Sequence, residues 1–430
     1  MGTFLLMFIL LMFFLALGIP VAFSITATSL VVLASIRGIE NLPLEMIAQR
    51  MLYGVNNFTL LAIPSFILIG KLMNASGITD RMFNVARAMF GHFRGGLGHV
   101  NIIASVIFAG MSGSAVADAG GLGAVEIKAM EDDGYPTEFC AAVTAASATI
   151  GPIIPPSIPA VIYGALANVS IGAVFLGSII PGFMMAAGMM ILIVILSHIN
   201  NYPVHTRAKF SQLIRSLKRG ILPLLTPIII VGGILSGVFT PTEAAGIALF
   251  YAVAISFLVY RSMSFHEFKA ILKETMMDSA VLLFIIAGSS LYSWVLARYQ
   301  VTHSFIDFLT VNVHSPIVLL LLINIFLLLI GCFIDSVPAL FLLTPILVPL
   351  VQTYGIDAVH FGVVVILNLM IGLISPPVGT VLYTLQKVTG VQMDKLLKNI
   401  LPFYVPLFVV LLLITYIPWL VTFIPNFFLK

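Results

Sequence analysis

Two pairs of segments hold the residue types that chemistry at the middle of an apolar chain would need. The first pair reads GMSGSAVADA at Gly110–Ala119 and GCFIDSVPAL at Gly331–Leu340. The second reads IGPIIPPSIP at Ile150–Pro159 and IGLISPPVGT at Ile371–Thr380. Proline lacks a backbone N–H and clashes with the preceding turn, so a Pro-Pro pair unwinds a helix where it stands. The carbonyl oxygens this frees are tolerated in a membrane only where they face protein, water or an ion. Gly113, Gly151 and Gly372 let a second backbone approach closely, and Ser112, Ser114, Ser157 and Ser375 add hydroxyl oxygens. A ring of carbonyl and hydroxyl oxygens suits a hard monovalent cation such as Na⁺ and needs no carboxylate. Half-helix N-termini aimed at the same place suit an anion.

The charged residues in or beside apolar segments are costly there and need a reason. Asp118 follows the first hairpin centre, where it either binds substrate hydroxyls or braces the tip. Asp335 stands where the first half has Ser114 and is assigned to a second ion site. Glu243, in TPTEAAG, is read as a helix-capping carboxylate. Lys71, near the end of a crossing, is read as snorkelling to the interface. Arg50 and Arg298 are read as solvated loop charges. No His pair has zinc spacing, and no Walker A or G-x-S-x-G sequence occurs. ATP-driven transport by this chain and serine hydrolysis therefore lack support, and no enzymatic activity is expected.

The elements that must position these residues are membrane helices. The 430 residues are 60% hydrophobic and 9% charged, with a net charge of +3, and the mean hydropathy is +1.14. A soluble domain carries roughly 25% charged residues, so a cytosolic enzyme, a nucleic-acid binder and a secreted disulfide scaffold are excluded. Cys140 and Cys332 lie in apolar segments without metal or redox spacing and are read as packing residues. The N-terminus lacks a basic region, so no cleavable signal peptide is expected. Hydropathy predicts crossings near 3–17, 19–36, 57–73, 135–165, 172–198, 221–238, 241–260, 277–297, 357–386 and 400–426. Stretches 99–131 and 318–352 have polar or kinked centres and limbs of about fifteen residues, too short to cross, which predicts two re-entrant hairpins.

Pro155-Pro156 and Pro376-Pro377 stand 221 residues apart, and at that ungapped offset Gly110 meets Gly331, Gly134 meets Gly355, Gly151 meets Gly372 and Pro181 meets Pro402. Coincident Gly and Pro positions predict a duplicated half. Arg81, Arg87 and Arg94 have no basic counterparts in 301–316, and Lys387, Lys395 and Lys398 have none in 166–177. By the positive-inside rule, equivalent loops lie on opposite faces, so the repeat is inverted. The stretch 200–220, with Arg207, Lys209, Arg215, Lys218 and Arg219, marks the cytoplasmic side. Counting from it puts loops 80–95, 261–275 and 387–398 inside, and 166–177, 301–316 and both termini outside. The amphipathic stretches 80–94 and 204–219 are expected to lie along that inner interface. The fold expected is an all-α polytopic membrane protein of two inverted repeats, ten crossings and two hairpins.

With these motifs in view, the chain resembles the large membrane (M) subunit of tripartite ATP-independent periplasmic (TRAP) transporters over nearly its whole length. The resemblance rests on AIPSFILIGKLM from Ala62, the GMSGSAVADA hairpin, GYPTEFCAAVTAASATIGPIIPPSIP from Gly134, PGFM from Pro181, TPTEAAGIALFYA from Thr240 and ISPPVG from Ile374. It implies an elevator-type, Na⁺-coupled secondary transporter of the bacterial inner membrane. The substrate class implied is an organic acid: a C4-dicarboxylate, sialic acid or another sugar acid. Two partners are implied, a periplasmic substrate-binding protein and a small four-helix membrane subunit expected from a separate chain. Carried over by motif, Ser112, Ser114, Gly151 and Pro155 would form one Na⁺ site, and Gly331, Asp335, Gly372 and Pro376 a second. Substrate would lie near Ser112, Asp118, Ser157 and Ser375. Segments 96–199 and 315–430 would move, 1–95 and 221–314 would form the scaffold, and 200–220 would be the cytoplasmic connection. The second half keeps a bulkier IDSVP where the first has GSAVA, so the two sites need not be chemically equal. A stand-alone symporter and a non-transporting membrane scaffold are the competing readings.

Overall fold

A computed structural model describes residues 2–204, 207 and 209–429. Of the basic stretch 200–220, residues 205, 206 and 208 and the side chain of Arg219 lie outside the described residues. The first half of the chain runs α1 (Gly2–Ala16), α2 (Val21–Arg37), α3 (Leu44–Val55), α4 (Ala62–Ala75), α5 (Ile78–Phe90), α6 (Gly96–Ser112), α7 (Ala115–Gly120), α8 (Leu122–Asp132), α9 (Thr137–Ala148), α10 (Ile158–Ala167) and α11 (Ile171–Ile199). The second runs α12 (Phe210–Leu235), α13 (Pro241–Ala254), α14 (Phe265–Arg298), α15 (Val301–Asn312), α16 (Pro316–Gly331), α17 (Ser336–Thr353), α18 (Ala358–Leu373), α19 (Thr380–Thr389), α20 (Met393–Tyr416) and α21 (Trp419–Phe428).

Among the described residues, six helical segments are long and apolar enough to cross a bilayer alone: 58–75, α11, 241–259, α14, α17 and α20. Helix α12 adds a seventh if its two limbs, bent by 56° between Lys218 and Gly220, form one span. That bend separates the basic limb 210–218, part of the amphipathic stretch 204–219, from the apolar limb 220–235. The other expected crossings consist of shorter helices, α1, α2 and the broken pairs α9–α10 and α18–α19. On α11, Ile191, Ile195 and Ile199 form an exposed stripe at i, i+4 spacing. Such a stripe belongs against lipid, and the chain is a multi-pass membrane protein.

Two expectations change. Most of 261–275, expected as a loop, is helix: Ser264 caps α14, with Glu267 closing the capping box, and the helix continues for 34 residues. In the first half, the counterpart is interrupted at Asn56-Asn57, where Asn57 turns to accept from Thr59 N at 3.0 Å. The outgoing limb of the second hairpin is also longer than fifteen residues. Helix α17 has 18, because Pro345 and Pro349 sit inside it without ending it.

Element starts follow the 221-residue offset. Cap residues Ser114 and Asp335 match, as do the first residues of α9 and α18, while α6/α16, α10/α19 and α11/α20 match within one residue. The connections gather at two ends. At one, Arg94 donates to Asn201 (2.8 Å), Arg81 lies over Tyr260 (3.7 Å), and Lys395 reaches Glu138 (3.5 Å). At the other, Thr242 donates to Phe58 O (3.3 Å), and Ser290 donates to Arg50 O (2.9 Å). The first end collects the loops expected inside.

The broken helices occupy the centre. Residues 139–148 of α9 are all buried, and α18 is buried except at Val359. Helix α9 is rich in Ala, Ser and Thr, which let neighbouring backbones come close. One approach is glycine on glycine: a Cβ on Gly372 would lie 2.5 Å from Gly331 Cα, and one on Gly331 would lie 3.1 Å from Gly372 Cα. Gly372→Val should therefore lower stability by about 1–3 kcal/mol through overpacking. Gly232→Val, where a Cβ meets nothing within 4 Å, should change it little. Thermal melting of the two purified variants in detergent checks the difference.

Candidate functional site

At the first tip, α6 ends at Gly113 in the left-handed region (φ 60°), and Ser114 caps α7. Ser112 Oγ donates a short hydrogen bond to Asp118 Oδ1, and Ser114 N donates to Ser112 Oγ at 3.4 Å. Gly113 is the contact with the first break, since a Cβ there would lie 2.6 Å from Pro156 O. Gly151 faces Asp118 so closely that a Cβ would strike the carboxylate. Ser112, Ser114, Asp118 and Gly151 are thus brought together. Pro155 is buried in the break. Asp118 is 2% exposed and braces the tip through Ser112; its Oδ2 has no hydrogen-bond partner among the described residues.

The second tip is built differently. Asp335 caps α17, accepting from Val337 N (3.4 Å) and Ser336 Oγ (3.1 Å), and its other oxygen accepts from Thr380 Oγ1 (3.5 Å). Val378 N donates to Cys332 O at 3.1 Å, tying the second break to this tip. Gly331 and Gly372 meet, as described above, while Pro376 is exposed. Both Pro-Pro bonds, 155–156 and 376–377, are cis.

Between the tips and the helices α4 and α14 lies a cavity of about 540 Å³. Ser112, Ser114 and Asp335 line it, together with Pro152, Ile158 and Pro159 at the first break. Asp118, Ser157 and Ser375 are not among its lining residues. Ser157 is fully buried, caps α10 by accepting from Ala160 N (3.1 Å) and donates to Pro152 O. Ser375 Oγ donates back into its own helix at Ile371 O (2.8 Å). These two hydroxyls are spent locally because each sits at a helix end whose backbone groups need partners.

Lys71, expected to reach toward the interface, has partners across the helix pair. It lines the cavity from α4 and pairs with Asp278 Oδ2 at 2.7 Å and Glu274 Oε2 at 3.3 Å on α14. Asp278 and Thr380 were not singled out by sequence, although an acid at the start of the 277–297 apolar run is a visible flag. Glu126, 1% exposed, is a further buried carboxylate that motif reading passed over, and neither of its oxygens has a hydrogen-bond partner among the described residues. Glu243 does cap its helix: its carboxylate accepts from Thr240 N and Oγ1, both at 2.8 Å. Among the described residues, no group of three His, Cys, Asp or Glu side chains could hold a metal ion. The oxygens gathered at each tip are hydroxyls, backbone carbonyls and one carboxylate, a donor set that fits a hard monovalent cation rather than a transition metal. Ser112→Ala would leave Asp118 Oδ1 without its donor and should cost about 1–3 kcal/mol. Ser112→Thr, which keeps the hydroxyl, should lose less. Denaturation midpoints of the two variants check the order.

A family profile described as "Tripartite ATP-independent periplasmic transporter, DctM component" matches residues 8–420. The chain is 46% identical over 414 residues to the sialic acid TRAP transporter large permease SiaM of Vibrio cholerae, covering 96% of each protein. It is 40% identical over 411 residues to the sialic acid TRAP transporter permease SiaT of Haemophilus influenzae, covering 95% of this chain and 66% of that protein. Its fold resembles that of the YdaH transporter of Alcanivorax borkumensis, with a TM-score of 0.66 at 14% identity, covering 96% and 98% of the two chains. Helical architecture, matched length and sequence agree: this chain is a transporter permease rather than an enzyme, and it belongs to the DctM family of TRAP large membrane subunits.

Proposed function

We propose that the protein takes up an organic acid across the bacterial inner membrane by Na⁺-coupled secondary transport, with sialic acid the first substrate to test. The observation that carries this reading is the cavity between α4 and α14 on one side and both hairpin tips on the other, with a helix break behind each tip. The names of SiaM and SiaT support the substrate class. The coincident element starts support two inverted repeats. In this reading a periplasmic binding protein delivers the substrate, and a small four-helix membrane subunit braces segments 1–95 and 221–314. Segments 96–199 and 315–430 carry the tips and slide as an elevator. The end that gathers Arg81, Arg94 and Lys395 faces the cytoplasm by the positive-inside rule.

Na⁺ would be held at the tips by Ser112, Ser114, Gly151 and Pro155 on one side, and by Gly331, Asp335, Gly372 and Pro376 on the other. Two tips suggest at least two ions. Asp118 organises the first tip through Ser112, and substrate would occupy the cavity against Ser112 and Ser114. The local bonds of Ser157 and Ser375 favour a structural role for both in the conformation described.

Proteoliposomes containing the chain with its small subunit should accumulate radiolabelled sialic acid only with the binding protein outside and an inward Na⁺ gradient. Equal uptake with K⁺ in place of Na⁺ would refute the coupling. Uptake without the binding protein would instead identify a stand-alone symporter.

A further inference from the structure

Lys71 is the one basic side chain among the cavity's lining residues, so it is the natural receiver of an anion there. The helix N-termini nearby are capped, α7 by Ser114 among them. Asp335 caps α17 with its own carboxylate, and Ser157 caps α10. Each cap takes up part of its helix end's capacity for a carboxylate, and Lys71 is the fixed positive charge that the cavity lining itself offers. In this conformation it is occupied by Asp278 at 2.7 Å and Glu274 at 3.3 Å, two acids for one ammonium. The three side chains lie on α4 and α14, the wall facing the tips rather than the tips themselves. They also lie toward the end of the molecule that gathers the basic loops, since α4 ends at Ala75 and leads directly into α5 with Arg81 and Arg87.

We propose that Lys71 binds the carboxylate of the substrate, and that Asp278 is a built-in competitor that hands the substrate off toward the cytoplasm. The proposal rests on the organic-acid reading above and extends it to a specificity-determining residue. The Lys71 side chain is 28% exposed, enough for a ligand to reach it, and Asp278 and Glu274 are more open at 53% and 67%. An arriving carboxylate displaces Asp278 into solvent at modest cost, because a pair this exposed is held weakly. Asp278 stays tethered beside Lys71 at high effective concentration and re-forms the pair once the substrate leaves. A cavity that must empty inward needs such a competitor: a bare ammonium would retain the anion. Because Lys71 stands on the wall, its grip exists only while the tips are level with it.

The test measures binding of radiolabelled sialic acid to the detergent-solubilised permease complex, together with uptake in proteoliposomes. Lys71→Gln should weaken binding about tenfold, the loss of one charged hydrogen bond, and Lys71→Arg should restore most of it. Asp278→Asn should act in the opposite sense. It leaves Lys71 with the more distant and more exposed Glu274 alone, tightens binding roughly threefold and slows turnover because release is delayed. Were the pair only a strut between α4 and α14, both neutral variants would break the same bridge and shift binding in the same direction. Changes of like sign, or unchanged binding in Lys71→Gln while wild-type uptake persists, would overturn this proposal and leave the transport reading standing. Absence of sialic acid uptake by the wild type, with binding protein and Na⁺ present, would overturn both.

Discussion

A bilayer offers no hydrogen bonds to an unwound backbone, and that constraint organises the molecule around two Pro-Pro breaks. Each break interrupts a helix whose preceding limb, α9 or α18, is buried along most of its length. The groups it frees must then be covered by another piece of protein that can come within van der Waals distance. The hairpin tips are those pieces. Gly113 meets the carbonyl of Pro156, and Gly331 meets Gly372. The N–H of Val378, left without a helical partner just after the second Pro-Pro pair, donates to Cys332. Glycine is required at these contacts because a single Cβ would push the tip off the break it covers. The small residues of α9 and the near-complete burial of α18 serve the same end, allowing two broken helices to sit in the interior.

The two halves solve this problem with different chemistry. In the first, a serine–aspartate pair sits over Gly151, and the prolines are buried. In the second, backbone packs on backbone, the prolines are exposed, and the carboxylate has moved four positions toward the N-terminus in register, from the equivalent of Ala339 to Asp335. Asp335 is therefore a helix cap reaching to Thr380, whereas Asp118 is a brace inside a tip. Each tip carries one carboxylate, placed so that its oxygens meet different neighbours. Two cation sites built on these frames would differ in affinity from the outset, which favours ordered rather than simultaneous loading.

What the sequence made legible were features whose meaning is local or register-based. Pro-Pro marks a break wherever it falls, Thr240 and Glu243 at capping-box spacing predict their own hydrogen bonds, and the 221-residue offset pairs Ser114 with Asp335 before any coordinates are known. Loop basicity likewise sorted connections that do meet at common ends of the molecule. What escaped was pairing across helices. Lys71 read as an interfacial lysine because its partners are about two hundred residues away; Asp278 opens the expected 277–297 run, and the capping box at Ser264 extends that helix back over Glu274. Ser157 and Ser375 read as free hydroxyls because sequence does not say which backbone carbonyl lies within reach. Glu126 gave no motif at all, and only burial reveals it.

The charge inventory of the cavity links these pieces. Its only ammonium, Lys71, is already matched by Asp278 and Glu274, and Asp335 adds another acid at the second tip. An anionic substrate entering such a space brings negative charge that the wall alone does not offset, and the partly apolar surroundings make that imbalance more costly than it would be in water. On the proposed reading, cations bound at the tips supply the missing charge. They also fix the tip geometry that puts Ser112 and Ser114 against the cavity. Coupling then follows from electrostatics without a dedicated gate. The tips are poorly organised for an anion until cations arrive, and the loaded domain moves as a near-neutral body. At the inner end, Asp278 reclaims Lys71 as the anion departs, so the protein side of the cavity has the same charge before loading and after release.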